Sequence, residues 1–172
     1  MNEAARKLDA MDREAAREAL TRCCGARRWV EGMLERRPFG TDEALMAAAD
    51  EVWARMERDD VLEAFTHHPR IGASLDELRA RFASTSAWSA GEQSGALGAS
   101  EETLRALRDG NAAYEARFGH IFIVCATGKS AEEMLAILNA RMSNGPDEEL
   151  RVAAAEQAKI TKLRLAKLGT ET

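Results

Sequence analysis

The strongest constraint on the fold is a series of helix-start signals, each followed by apolar residues at helical spacing. In "TDEALMAAADEVWARM", Thr41 stands where an N-cap is needed, and Leu45, Ala49, Val52, Trp53 and Met56 then fall on one face. Ser74, Ser100 and Ser130 each stand three residues before Glu77, Thr103 and Glu133. The first and last of these pairs are S-x-x-E capping boxes, and a helix is predicted after each serine. From Ser100, a stripe of Leu104, Leu107, Asn111, Tyr114 and Phe118 advances by threes and fours, with one polar residue inside it. "SNGPDEEL" supplies Gly145 and Pro146 as a stop and Asp147 as the next start, before a long final helix through Lys167. Alanine, leucine, glutamate and arginine dominate and only three residues are proline, which suits an all-α chain.

One stretch dissents. "GHIFIVCATG" is β-branched and aromatic like a buried strand, but a lone strand without a visible partner makes no sheet. The expectation is therefore an extended buried segment around residues 119–127, set between helices. A length of 172 residues fits one compact multi-helix domain spanning 1–172, large enough to bury a core without staples, and no repeat, linker or low-complexity tract divides it.

Charge and cysteine usage exclude several classes of partner. A net charge of -5, with both signs interspersed, offers no basic stripe for a phosphate backbone, so nucleic acid is not expected. The opening "MNEAARKLDAMDREAAREAL" lacks the basic start and apolar run of a signal peptide, and nothing later approaches the roughly 18 apolar residues of a membrane span. Cys23, Cys24 and Cys125 are odd in number and without CxxC spacing, as expected of reduced thiols in a cytoplasmic protein.

The chemistry-bearing candidates each have a bland reading beside the functional one. In "FTHHPRIGAS", adjacent helical side chains are splayed by about 100°, so His67 and His68 do not serve one site as a pair. Pro69 pushes His68 out of helical backbone space, and "HHP" could do no more than end the helix containing "VLEAF". "SAGEQSG" holds Ser89 and Glu92 at capping-box spacing, and the basic residues of "KITKLRLAKL" suit a solvated helix face. A metal site is not expected, because neither HExxH nor Cys/His ligand spacing is present. "ATGKSAEE" carries a GKS tripeptide, but the first glycine of a phosphate loop would fall on Ile123.

Taken together, the motifs resemble a known family. "RRPF" at residues 36–39, "THHPRIGA", "SAGEQSG", "NAAYEARFGHIFIVCATGKS" and "EELRVAAAEQAKITKLRLAKL" are similar, in order and over essentially the whole chain, to the 2-oxo-4-hydroxy-4-carboxy-5-ureidoimidazoline (OHCU) decarboxylases of urate breakdown. The resemblance implies an all-helical fold in which His68, the histidine of an HPxxG motif, is the essential residue beside Pro69. It also implies that Ser89, Glu92 and Gln93 surround the substrate, that backbone groups near Ile121 and Ile123 line the pocket, and that Arg164 binds the substrate's polar end. His67 falls outside the motif. His120 departs from the pattern, since the family usually has an aromatic residue after "FG".

The implied partner is a small ureidoimidazoline, and the family resemblance also suggests a homodimer. The substrate's ring carries a carboxylate and a hydroxyl on one carbon beside a carbon doubly bonded to nitrogen, so it holds its own electron sink and no cofactor is expected. His68 is expected to act as acid and base, with Glu92 either orienting it or moving the decisive proton. A hydrolase of a ureido compound using the same pocket, or a non-catalytic helical adaptor, are the alternative functions.

Overall fold

The computed structural model describes residues 2–68, 75–78 and 100–170, and the described residues are helical with no strand among them. The helices with bounds among the described residues are α1 (Glu3–Ala10), α2 (Arg13–Cys23), α3 (Arg27–Glu35), α4 (Asp42–Ala54), α5 (Arg58–Thr66), α6 (Glu101–Phe118), α7 (Ala131–Arg141) and α8 (Pro146–Thr170). Residues 75–78 are also helical, after Ser74, which itself lies outside the described residues. The chain divides into two compact units, Met1–His68 with Ala153–Thr172, and Pro69–Val152.

In the first unit, the predicted face of α4 is the one that packs. Leu45, Ala49 and Val52 are buried, with Trp53 and Met56 against the same core. Thr41 caps the helix by accepting from the Ala44 amide at 3.0 Å. Trp29 of α3 lies fully buried beneath α4 and donates its indole N–H to the Ala49 carbonyl at 3.2 Å, so its one polar atom is satisfied in the core. The "RRPF" turn is held by Asp9, whose carboxylate accepts from the amides of Phe39 and Gly40 at 2.8 and 2.9 Å. The C-terminal part of α8 completes this core with Leu165 and Leu168. A Cβ on Gly169 would lie 2.9 Å from the Ala4 backbone nitrogen, so only glycine allows α8 to approach α1 this closely.

Two features place the end of α5. Asp60 accepts from the Glu57 amide at 3.0 Å and from Arg28 Nη1 at 2.8 Å, which fixes the start of the helix to α3. Further along, the Glu63 carboxylate accepts from the Arg27 amide and from Arg27 Nε, at 2.9 and 2.8 Å. This puts an anion on the N-terminus of α3, where the helix dipole favours it. The amide hydrogen bond is the main reason that the Glu63 carboxyl is held below its usual range.

In the second unit, α6 and α7 start on the predicted serines. Ser100 accepts from the Thr103 amide at 3.1 Å, and Ser130 with Glu133 forms a complete capping box. The stripe of α6 is buried at Leu104, Leu107, Asn111 and Tyr114. Asn111, its polar member, donates to the Leu107 carbonyl at 2.8 Å. Gly119 ends α6 with φ of 79°, a left-handed cap that suits glycine. After it comes the expected extended segment, buried from Phe122 to Cys125. The last helix begins one residue earlier than read from sequence, at Pro146, because proline is favoured at a first helical position.

With no sheet to join, the extended segment needs other donors for its carbonyls. Arg141 Nη1 supplies one to Ile123 at 2.7 Å, and Lys129 Nζ another to Cys125 at 2.7 Å. Arg141 is itself pinned by Glu149, donating from Nε at 2.8 Å and again from Nη2. Glu149, fully buried, also accepts from the Tyr114 hydroxyl and from Asn144 Nδ2 at 3.0 Å. His120 packs among aromatic rings. Its ring meets Tyr114 edge-on at 5.5 Å and stacks on Phe118 at 6.2 Å.

Candidate functional site

Helix α5 stops at the two histidines. The His67 amide donates to the Ala64 carbonyl and the His68 amide to that of Phe65, each at 3.2 Å, and there the helical bonding ends. The two rings then part. His67 is exposed and turns back on its own helix, donating from Nδ1 to the Glu63 carbonyl at 3.1 Å. It lies over Gly25, where a Cβ would come 2.2 Å from the ring.

The His68 ring is half-buried and faces one stripe of α8. Gln157, Thr161 and Arg164 occur at steps of four and three and therefore share a helix face. His68 Nε2 donates to Gln157 Oε1 at 2.5 Å, while Arg164 Nη2 donates to His68 Nδ1 at 3.4 Å. Arg164 Nη1 lies 3.4 and 3.5 Å from the carbonyls of Arg22 and Cys23 at the end of α2. Those contacts hold the guanidinium beside the imidazole rather than in solvent.

Burial holds the His68 pKa below the ordinary histidine value. The Gln157 hydrogen bond opposes this, and the charges of Arg164 and His67 reinforce it. The imidazole is thus neutral at physiological pH, with a lone pair on Nδ1. The unfolded chain binds the proton near pH ~6.5 and the folded chain only at lower pH. Between those values the unfolded state carries more protons, so stability falls as pH drops below about 6.5 and is unaffected above it. Urea unfolding at about pH 8 and about pH 5 is expected to show this loss, and a smaller one in His68→Asn.

Of the residues named from sequence, the structure brings His68 and Arg164 into contact. Pro69, Ser89, Glu92 and Gln93 lie outside the described residues. Ile121 and Ile123 belong to the second unit. Ile123 is buried, and both carbonyls already have donors: Arg141 at Ile123, and His120 Nδ1 at Ile121 at 3.0 Å. The reading from sequence passed over Gln157 and Thr161. Their signal was two polar residues inside the buried stripe of the last helix, between Ala153 and Leu165. Among the described residues, no three His, Cys, Asp or Glu side chains gather as a metal-ligand set.

A neutral imidazole at a helix end, touched on one nitrogen by an amide oxygen and on the other by a guanidinium, defines an all-α protein organised around one histidine. The sequence model of OHCU decarboxylase matches residues 9–166, and the chain belongs to that family. Over 151 residues it is 39% identical to the uric acid degradation bifunctional protein TTL of Arabidopsis thaliana, covering 87% of this chain and 46% of that protein. Over 55 residues it is 44% identical to the 2-oxo-4-hydroxy-4-carboxy-5-ureidoimidazoline decarboxylase of Amia calva, 32% of this chain and 31% of that one. The chain thus spans less than half the length of these two curated relatives.

Among solved structures, it is similar to an OHCU decarboxylase crystallised in the presence of (S)-allantoin, with a TM-score of 0.74 and 33% identity, covering 94% of this chain and all of that one. It shares its fold with an (S)-allantoin synthase, with a TM-score of 0.71 at 19% identity, covering 95% of this chain and 53% of that one.

Proposed function

We propose that this chain decarboxylates OHCU to (S)-allantoin and carbon dioxide in urate catabolism, as a carboxy-lyase that needs no cofactor. The observation that carries this reading is the pairing of His68 with Arg164: an acceptor nitrogen on a neutral imidazole beside a planar donor fork. Arg164 binds the substrate's carboxylate or urea carbonyl through that fork. As the carbon–carbon bond to the carboxylate breaks, its electron pair moves into the neighbouring ring C=N. His68 then takes the hydroxyl proton, the ring nitrogen that received the pair takes a proton from solvent, and a proton is delivered to the adjacent carbon, leaving a ring carbonyl. Delivery from one face gives one enantiomer.

In this proposal Glu92 orients His68 or disfavours the departing carboxylate, Ser89 and Gln93 hydrogen-bond the ring and ureido groups, and Pro69 holds His68 at the helix end. The backbone at Ile121 and Ile123 lines the pocket. The chain works in the cytoplasm as a homodimer, a reading supported for the compartment by buried free Cys23, Cys24 and Cys125. No described helix is long and apolar enough to cross a membrane.

The test is to mix purified protein with freshly generated substrate and follow the circular dichroism of the product. One enantiomer of allantoin forming with carbon dioxide is expected. Release of urea or ammonia instead would make the protein a hydrolase, and absence of turnover would end the enzymatic reading. Activity is also expected to survive exhaustive dialysis against a chelator. Loss on dialysis with recovery on adding metal back would overturn the cofactor-free mechanism.

Arg164→Lys is expected to lose most activity, because an ammonium cannot reproduce a bidentate planar contact. Lys162→Ala should be nearly silent. Its Nζ is in an exposed pair with Asp50 at 3.1 Å, an arrangement of little energetic consequence. Steady-state kinetics of both variants decide, and equal small losses would return Arg164 to the role of a surface charge.

A further inference from the structure

The tautomer of His68 is set by Arg164 on one ring nitrogen and by side chains buried behind the ring on the other. A guanidinium has donors only, so the 3.4 Å contact from Arg164 Nη2 requires a lone pair on His68 Nδ1. The neutral ring must then carry its hydrogen on Nε2, and the buried group facing that nitrogen must be an acceptor. Gln157, with no exposed surface, presents Oε1 there. Its amide is oriented from behind, where Nε2 donates to Thr161 Oγ1 at 2.9 Å. A reversed amide would set its NH2 against the imidazole N–H. Thr161 is buried too, and so is Cys24, whose thiol pKa burial pushes up to about 11, which keeps it neutral. Every link behind the imidazole is uncharged.

We infer that Gln157 is the positioning residue of this site: backed by Thr161, it fixes His68 as the Nε2–H tautomer and leaves Nδ1 as the proton-accepting atom. The inference rests on the decarboxylase reading only for the reaction in which Nδ1 is used. An amide suits the position better than a carboxylate would. Glutamate at 157 would accept the same hydrogen but add a charge that favours the imidazolium, against the guanidinium of Arg164.

The experiment reads the tautomer directly, by nitrogen-15 spectra of the His68 ring in the labelled full chain above neutral pH, assigned with His68→Asn. The wild type is expected to show hydrogen on Nε2 and a bare Nδ1. Gln157→Leu should weaken that preference, leaving Arg164 alone to support it, and lower kcat by about 10- to 100-fold, as loss of a partner that orients a functional histidine does, with KM nearly unchanged. Gln157→Glu should keep the tautomer, recover kcat and move the acid limb of kcat/KM to higher pH. Hydrogen on Nδ1 in the wild type, or an undiminished Nε2–H preference in Gln157→Leu, would overturn the inference. If Gln157→Leu does not fold, the wild-type spectrum and Thr161→Val, which frees the amide to turn and is expected to weaken the preference, decide in its place. The spectra need no substrate, so a protein that makes no allantoin would sink the decarboxylase reading and leave the tautomer result standing.

Discussion

His68→Asn is expected to lower the rate of allantoin formation by about 10²- to 10⁴-fold, the range for a removed general acid–base group. Asparagine keeps part of the polar surroundings of the ring. Its Oδ1 takes the place of Nδ1 as an acceptor towards Arg164, while the shorter side chain gives up the bond to Gln157 Oε1. It also tolerates a helix end, so far-ultraviolet circular dichroism should be unchanged. His67→Asn is expected to retain nearly full activity, because that ring is exposed and bonded to the carbonyl of Glu63 in its own helix. A folded His68→Asn variant with full activity, or a dead His67→Asn, would assign the proton transfer to another group.

Arg141→Met is expected to destabilise the protein by about 3–5 kcal/mol, the cost of leaving a buried ion without its partner. Glu149 has no exposed surface and Arg141 is 6% exposed, so water cannot replace the lost guanidinium. The substitution also removes the donor from the Ile123 carbonyl, in a segment that has no sheet to supply another. Adding Glu149→Leu to Arg141→Met should recover part of the loss, since an apolar pair carries no unpaired charge. Urea midpoints of the single and double variants, at equal slope, make the comparison. A single variant no weaker than a surface substitution would show that the ion pair does not hold the extended segment.

Much of the architecture was readable in one dimension because its causes are local. A capping serine or threonine with apolar residues at helical spacing acts within a turn or two, and Thr41, Ser100 and Ser130 all cap as their neighbours required. The extended segment was legible for the opposite reason, a β-branched run with no partner strand. Its anchoring was not. Arg141 is 18 residues from the carbonyl it binds, and Glu149 is 35 residues from Tyr114, so nothing in the local pattern marks them as a network.

The same division runs through the site. Sequence alone determined which side chains to suspect, because a proline after a histidine breaks a local rule, and the family resemblance named Arg164, 96 positions further on, for the same site. It also separated His67 from His68, since adjacent residues at a helix end cannot face one way. Only the tertiary structure decided the protonation chemistry. That depends on which nitrogen meets Arg164 and which meets Gln157, and the burial that keeps the ring neutral comes from packing α5 against α8. Helix periodicity is a property of neighbouring residues, whereas a tautomer is fixed by donors and acceptors that folding brings together from distant parts of the chain.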